Sequence, residues 1–395
     1  MSAAVEIYRD DLDASYAVDF GRDREPTQKR SRFPEYRRQG NPPSRVNGMH
    51  CRRQKRWTWG SGRGARMLNA RAFAGSLAFA VASLAATAFA VVIDYRTIGN
   101  PGNAGAPSTG WGAVSNTFRI STYEVTNSQY AEFLNAVGRS NTNSIYNSSM
   151  NTNANGGITQ SGSSGSFTYA VKSGFANRPV NFVSWYSAAR FINWLQNGQT
   201  TNVSSMESGA YTIPSNATSG PVIARSAGAT VFLPTLNEAY KAAYYNSGTA
   251  SYFAYGTSSN TRPTGGSSTS SAITNFTIAN SANYNSSGTT NVGAFTNASV
   301  SPYGLFDATG NVAELSQTAN PTLSTQVYSI GGAYNATSSS AALTGASFVT
   351  TAGSAAIGFR VAAVPEPSTL GLAGVGFLAL VGLQVIKHRR RKAAA

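Results

Sequence analysis

The chain has 395 residues, with 31 Lys and Arg against 16 Asp and Glu and a formal net charge of +15. The excess sits at the ends: residues 1–66 hold fifteen basic and eight acidic side chains and residues 364–395 five and one, whereas residues 91–363 hold ten and seven. A nearly neutral middle excludes nucleic acid as a partner, because phosphate binding needs a basic face on the folded domain itself; the same middle is long enough to bury a sizeable core.

Residues 1–66 have few apolar positions and carry Arg52-Arg53-Gln54-Lys55-Arg56, so they are expected to be disordered. A signal-peptide pattern then occupies residues 67–90: Arg63 and Arg66 precede Met67, Arg71 leads into an apolar run from Ala72 to Phe89, and Ala88-Phe89-Ala90 forms a small-residue cleavage site. Translation starting at Met67 is the simplest explanation. The alternatives are an extended leader, an uncleaved anchor running on through Ile93, and a twin-arginine signal using Arg52-Arg53.

Three helix starts follow in the middle segment. Thr126 with Gln129 reads as a capping box ahead of a face made by Tyr130, Phe133, Leu134 and Val137. Ser184 caps a second helix ahead of Ala188, Phe191, Ile192 and Leu195, and Thr235 with Glu238 starts a third containing Ala242, Ala243 and Tyr244. Between them, Asn141 to Ser166, Ser204 to Ala229 and Thr257 to Ala272 are rich in Ser, Thr, Asn and Gly and read as long loops inserted on a folded core. The glycine-rich remainder suggests short strands, so the expected class is α+β with much irregular structure.

The stretch Ser301 to Ser316 places apolar Tyr303, Leu305 and Phe306 before Asp307, breaks at Gly310-Asn311, and resumes with Val312 and Leu315 before and after Glu314. Two carboxylates and a glycine able to turn its carbonyl offer oxygen ligands to a hard cation, since calcium accepts irregular oxygen sets. A turn with two solvated acids is the plain alternative. Residues 364–395 begin with Val364-Pro365-Glu366-Pro367-Ser368, continue apolar from Leu370 to Ile386 and end in Lys387-His388-Arg389-Arg390-Arg391-Lys392. That order resembles the PEP-CTERM sorting signal, which implies recognition by exosortase-type machinery and delivery to the cell surface or extracellular matrix. A plain C-terminal transmembrane anchor gives the same topology, with the basic cluster cytoplasmic and the middle outside.

The middle segment also carries YEVTN from Tyr123, RPV from Arg178 with VSW from Val183, LPT from Leu233, YGL from Tyr303 with GNV at Gly310, Gly331-Gly332, and GFR from Gly358. In that order these motifs resemble the formylglycine-generating, or sulfatase-modifying factor, family. The resemblance implies a single C-type-lectin-like domain over residues 91–363, flanked by the signal helix and the C-terminal membrane helix. It implies structural calcium held by Asp307, Gly310, Val312 and Glu314, the middle two through carbonyls. Asn283 and Tyr284 resemble the start of the family's first calcium motif, whose remainder is shortened here.

Oxidase members of that family bind copper through a cysteine pair between the glycine pair and GFR, but this segment passes Ala336 and Ala341 without cysteine, and the single cysteine is Cys51. No copper is therefore expected. Both histidines, His50 and His388, also lie outside the middle, which removes the imidazole base and the iron site of the related sulfoxide synthases. Glu124, Glu132, Glu207, Glu238, Asp307 and Glu314 present no assignable acid pair for glycosidase chemistry; Glu238 is read as a cap and Glu124 and Glu132 as helix surroundings. The expectation is an exported, noncatalytic surface or matrix module that binds exopolysaccharide or a surface protein, with Trp111, Tyr252 and Tyr255 available to stack on sugars. The alternative is an oxidase acting on protein cysteines.

Overall fold

Thr126 and Gln129 close the expected capping box, Thr126 N–H donating to Gln129 Oε1 at 2.9 Å and Gln129 N–H to Thr126 Oγ1 at 3.3 Å, and α1 (Asn127–Val137) begins there. In this computed structural model, residues 90–265, 278–295, 297–336 and 346–365 are described, all within the unit Ala80–Ala395. The expected signal helix and the apolar run Leu370 to Ile386 lie outside the described residues. Among the described residues no helix is long and apolar enough to cross a membrane.

Helix α2 (Trp185–Gln196) starts at Ser184, whose hydroxyl accepts from Ser187 N–H at 3.0 Å. Helix α3 (Leu236–Tyr244) starts at Thr235, with Glu238 Oε2 accepting Thr235 N–H at 2.7 Å. The face predicted for α1 is the buried one: Tyr130, Phe133, Leu134 and Val137 are all in the core. Helix α2 is buried on every side. Every residue from Trp185 to Trp194 is buried while Leu195 is only partly so. Arg190 and Asn193 tolerate burial because the segment after α2 folds back over them, satisfying the Asn193 amide and pairing Arg190 Nε and Nη2 with a carboxylate. Asn193 Nδ2 donates to Met206 O and Tyr211 O at 2.8 Å each and its Oδ1 accepts from Tyr211 N–H at 2.9 Å; Arg190 grips both carboxylate oxygens of Glu207 at 3.0 and 3.1 Å.

That returning segment belongs to a stretch expected to be a loop on the surface, yet Met206, Ala210, Tyr211 and Ile213 are buried. The Asn141 to Ser166 stretch likewise sends Ile145, Tyr146, Met150 and Ile158 inward and pairs Ile158–Ser161 with Thr168–Val171 as a hairpin. Both are parts of the core, held by apolar side chains spaced too irregularly to show a period.

Two four-stranded sheets complete the frame. The first uses β1 (Tyr95–Ile98), β2 (Phe118–Ser121), β3 (Val231–Phe232) and, from the end of the domain, β8 (Ala362–Ala363). Its order is β1-β2-β8-β3 with every pair antiparallel, so the last strand is an interior one, Ala362 standing opposite both Ile120 and Phe232. The second sheet is built from β4 (Ala313–Ala319), β5 (Gln326–Ile330), β6 (Ser347–Thr350) and β7 (Ile357–Gly358), in the order β6-β5-β4-β7. β4 pairs antiparallel with β5 and parallel with β7. Between helices and sheets, Tyr130, Phe133, Phe191, Trp194 and Phe359 interlock edge-to-face and stacked. Each buried ring contributes roughly 1.5–3 kcal/mol relative to exposure. The mixture of helix and short strand is the expected class.

Candidate functional site

The stretch from Ser301 to Ser316 ends inside the second sheet. A turn at Pro302-Tyr303 and bends from Phe306 to Thr309 lead there, with left-handed backbone at Gly304 (φ 82°), Asp307 (φ 54°), Gly310 (φ 88°) and Asn311 (φ 61°). Gly310 is sterically required, since a Cβ there would sit 2.2 Å from Asn283 O. Asn311, fully buried, fixes the turn: its N–H donates to Asn283 O at 2.8 Å, its Oδ1 accepts from Thr290 N–H at 3.0 Å, and its carbonyl accepts from Tyr334 N–H at 2.8 Å. The fold thus brings Asn283 beside Gly310, joining two patches singled out in the sequence. Asn283 spends its amide on Gly288 O and accepts Ser286 Oγ, while the Tyr284 hydroxyl reaches Pro263 O.

Glu314 lies on β4 between β5 and β7, opposite Ile330 and Gly358. Its Oε1 accepts from Arg360 Nε at 3.0 Å, and Gly331 lacks the Cβ that would come within 2.4 Å of its Oε2. Asp307 accepts Gly293 N–H at 2.6 Å. Arg360 is the hub, donating as well to Thr122 O at 3.0 Å and to Phe306 O, with Glu124 4.0 Å away. Glu124 is therefore not part of a helix surface. It is buried, and neither carboxylate oxygen has a hydrogen-bond partner. Glu132, by contrast, is exposed on α1 as expected.

Three buried carboxylates thus share one guanidinium. Burial pushes Asp307 up to about 6, with the Gly293 N–H and Arg360 acting the other way, and pushes Glu314 up to about 7 against the pull of Arg360. Glu124 is raised well above the usual carboxylate range, first by burial and then by the charge of Asp307. Were all three ionised, two negative charges would be in excess, a deficit that one divalent cation matches. Of the residues expected to hold calcium, Asp307 and Glu314 are buried about the same guanidinium and offer oxygen donors only, the chemistry calcium uses, while Arg360 already takes one Glu314 oxygen. Among the described residues no three His, Cys, Asp or Glu side chains group closely enough to form an all-side-chain metal cluster.

The aromatics named for sugar stacking are used in packing. Trp111 meets Tyr240 and Tyr328 edge-on at 5.6 Å each, and the Tyr252 hydroxyl is pinned between Asn103 Nδ2 and Ala104 O at 2.8 Å. Tyr255 is half-buried. Phe348 on β6, 44 % exposed and 4.3 Å from Tyr328, is the aromatic that reaches solvent beside them.

The motif order has a counterpart in the comparisons. The family described as sulfatase-modifying factor enzyme 1-like domain matches residues 97–364. The chain belongs to that family. Directly after its sulfatase-modifying factor domain, residues 363–390 match the PEP-CTERM protein-sorting motif, which marks the protein for export and cell-surface targeting by exosortase machinery. Among solved structures the domain is similar to Treponema denticola variable protein 1, at 18 % identity over 71 % of this chain and 98 % of that one with a TM-score of 0.44. It is similar also to CarF, at 20 % identity over 70 % and 99 % with a TM-score of 0.42, and to PvdO from Pseudomonas aeruginosa, at 15 % over 69 % and 92 % with a TM-score of 0.37. No curated protein matches the chain.

Proposed function

We propose that this sulfatase-modifying factor domain is a noncatalytic, C-type-lectin-like module, exported to serve as a binding or structural part of the cell surface or extracellular matrix. The observation that carries the reading is chemical: the segment from Gly331-Gly332 to Gly358, between whose motifs oxidase members hold their copper-binding cysteine pair, contains no cysteine, and the single cysteine of the chain, Cys51, precedes the domain. A thiolate is the copper ligand and the redox partner in that chemistry, and no other residue type replaces it. Calcium on Asp307, Gly310, Val312 and Glu314 is a structural component in this reading, setting the turn that joins Asn283 to β4. The ligand class is an exopolysaccharide or a surface protein, and the C-terminal apolar run holds the chain transiently in the inner membrane until the sorting machinery acts.

The test is incubation of the copper-supplemented protein with a cysteine peptide of the sulfatase type, read by mass spectrometry. The expected result is an unmodified peptide. A formylglycine product would replace this reading with the oxidase. Exopolysaccharide pull-down with the same protein supplies the positive arm, and retention on the polymer is the expected outcome.

A further inference from the structure

A cavity of about 290 Å³ opens at the end of the first sheet, between Asn116-Thr117 ahead of β2, the segment from Arg225 to Ala229, and Val364 where the chain leaves β8. Glu238 on its wall closes the α3 cap with Oε2 alone, while Oε1 stands 3.7 Å from Arg225 Nη1 and accepts no hydrogen bond. The Arg225 guanidinium lies over the Phe232 ring, 3.8 Å from its centroid, and makes no hydrogen bond to any described residue. Its Nη1 is buried, but Nε, Nη2 and Glu238 Oε1 are reached by solvent, the two side chains being 29 % and 11 % exposed. Asn116 is exposed and Thr117 and Ser226 are half-buried, and their side chains also lack a hydrogen-bond partner among the described residues. The polar lining of this cavity is thus held in place without being used by the fold.

The volume equals that of about ten waters at roughly 30 Å³ each and lies near the lower end of small-molecule pockets, roughly 300 Å³, which suits a single sugar unit. One cation and one anion line the cavity, so their charges cancel and an ion gains no net attraction. What remains is a planar donor fork beside a carboxylate acceptor. A sugar hydroxyl is donor and acceptor at once, so two neighbouring hydroxyls match the pair, one accepting from Arg225 and one donating to Glu238, and hydrogen bonds to charged groups are the stronger kind. Asn116, Thr117 and Ser226 add neutral donors and acceptors around them. Phe232 is buried beneath the guanidinium, so recognition here comes from hydrogen bonds and not from a ring face.

We propose that this cavity is a saccharide subsite, taking one uncharged sugar unit of an exopolysaccharide with its hydroxyls bridging Arg225 and Glu238. It rests on the proposed role as a polysaccharide-binding module and gives that role a place and a ligand class. The measurement is depletion of the purified full chain by immobilised dextran, galactomannan and alginate, for the wild type and for Arg225→Met, Glu238→Gln, Asn116→Ala and Phe348→Ser, with a thermal melt of each. Glu238→Gln keeps the capping box, in which Gln serves as Glu does, and Asn116→Ala alters an exposed side chain, so both stay informative if Arg225→Met impairs folding. The expected result is retention of the wild type on dextran or galactomannan, weakened about tenfold or more by Arg225→Met and about three- to tenfold by Glu238→Gln and Asn116→Ala, with Phe348→Ser unchanged. Wild-type retention by all of the cavity variants, or loss confined to Phe348→Ser, would overturn the subsite and leave the polysaccharide role standing. Retention on alginate alone would overturn the assignment to an uncharged sugar, and no retention on any of the three would overturn the subsite and the polysaccharide role together.

Discussion

Replacing Arg360 by methionine keeps most of the side-chain volume and removes every donor at the hub. Glu314 then loses its 3.0 Å partner, Thr122 O and Phe306 O lose theirs, and three carboxylates remain buried without a cation. Breaking a buried ion pair from one side costs about 3–5 kcal/mol, which for a domain of this size lowers the melting temperature by roughly 6–10 °C. The loss comes chiefly from the uncompensated carboxylates, so neutralising one should return part of it. Arg360→Met with Glu314→Gln is expected to be more stable than the sum of the two single changes by about 1–3 kcal/mol. Thermal and urea melts followed by circular dichroism, with calcium chelated throughout, measure all three variants. A loss below about 1 kcal/mol for Arg360→Met, or strict additivity in the double variant, would refute the hub.

Calcium should raise the melting temperature, the stabilisation reaching about 2.7 kcal/mol at free ion 100 times the dissociation constant; Asp307→Ala and Glu314→Gln should remove most of this while Glu132→Gln leaves it, and a melt indifferent to chelator would contradict the turn site. In chelator, stability should fall as pH rises through about 6 and about 7, the folded-state values of Asp307 and Glu314, because groups raised above their unfolded values hold more protons in the folded state and stabilise it below that range; a profile flat or rising between pH 5.5 and 8 would be inconsistent with their burial as acids. Arg190→Met should cost about 1.5–3 kcal/mol, the worth of hydrogen bonds to a charged group, since Glu207 is partly exposed and keeps Asn143 Nδ2 at 2.6 Å, and should open the segment around Met206 to protease before the rest of the domain; uniform digestion would show that the bidentate pair does not pin it. Gly310→Ala should destabilise by about 1–3 kcal/mol from left-handed strain, plus displacement of Asn283 O, measured by the same melts; a wild-type melt would mean the turn can relax.

What the sequence disclosed was local. The starts of α1 and α3 were legible because each capping box lies within four residues, and the α1 face because its apolar positions repeat with the helix. The partners of Arg360 were not, since Glu314 is 46 positions away and Thr122 is 238, and no spacing rule relates residues so far apart. Composition held a further clue: residues 91–363 contain seventeen charged residues. Eight of them, Glu124, Arg178, Arg190, Glu238, Lys241, Asp307, Glu314 and Arg360, are buried. A surface solvated by Ser, Thr and Asn leaves charge for interior pairing, so the rarity of Glu124 was itself a sign that it did not belong to a solvated helix face. Low complexity misled in the other direction. Tyr211 lies in a Ser- and Gly-rich run, yet it is fully buried and its hydroxyl accepts from Leu233 N–H at 2.9 Å. Such a core residue has no period to announce it.

The position of β8 has a mechanical meaning. This strand is hydrogen-bonded to β2 on one edge and β3 on the other, and the sorting motif matches from residue 363, its second residue. The domain is therefore coupled to its export address without a spacer. Force applied through the sorting segment enters along an interior strand, where it must shear two ladders rather than peel a free edge, and the first sheet cannot close until the last residues of the domain have been made. Completion of the fold and appearance of the address are thus nearly the same event in the life of the chain.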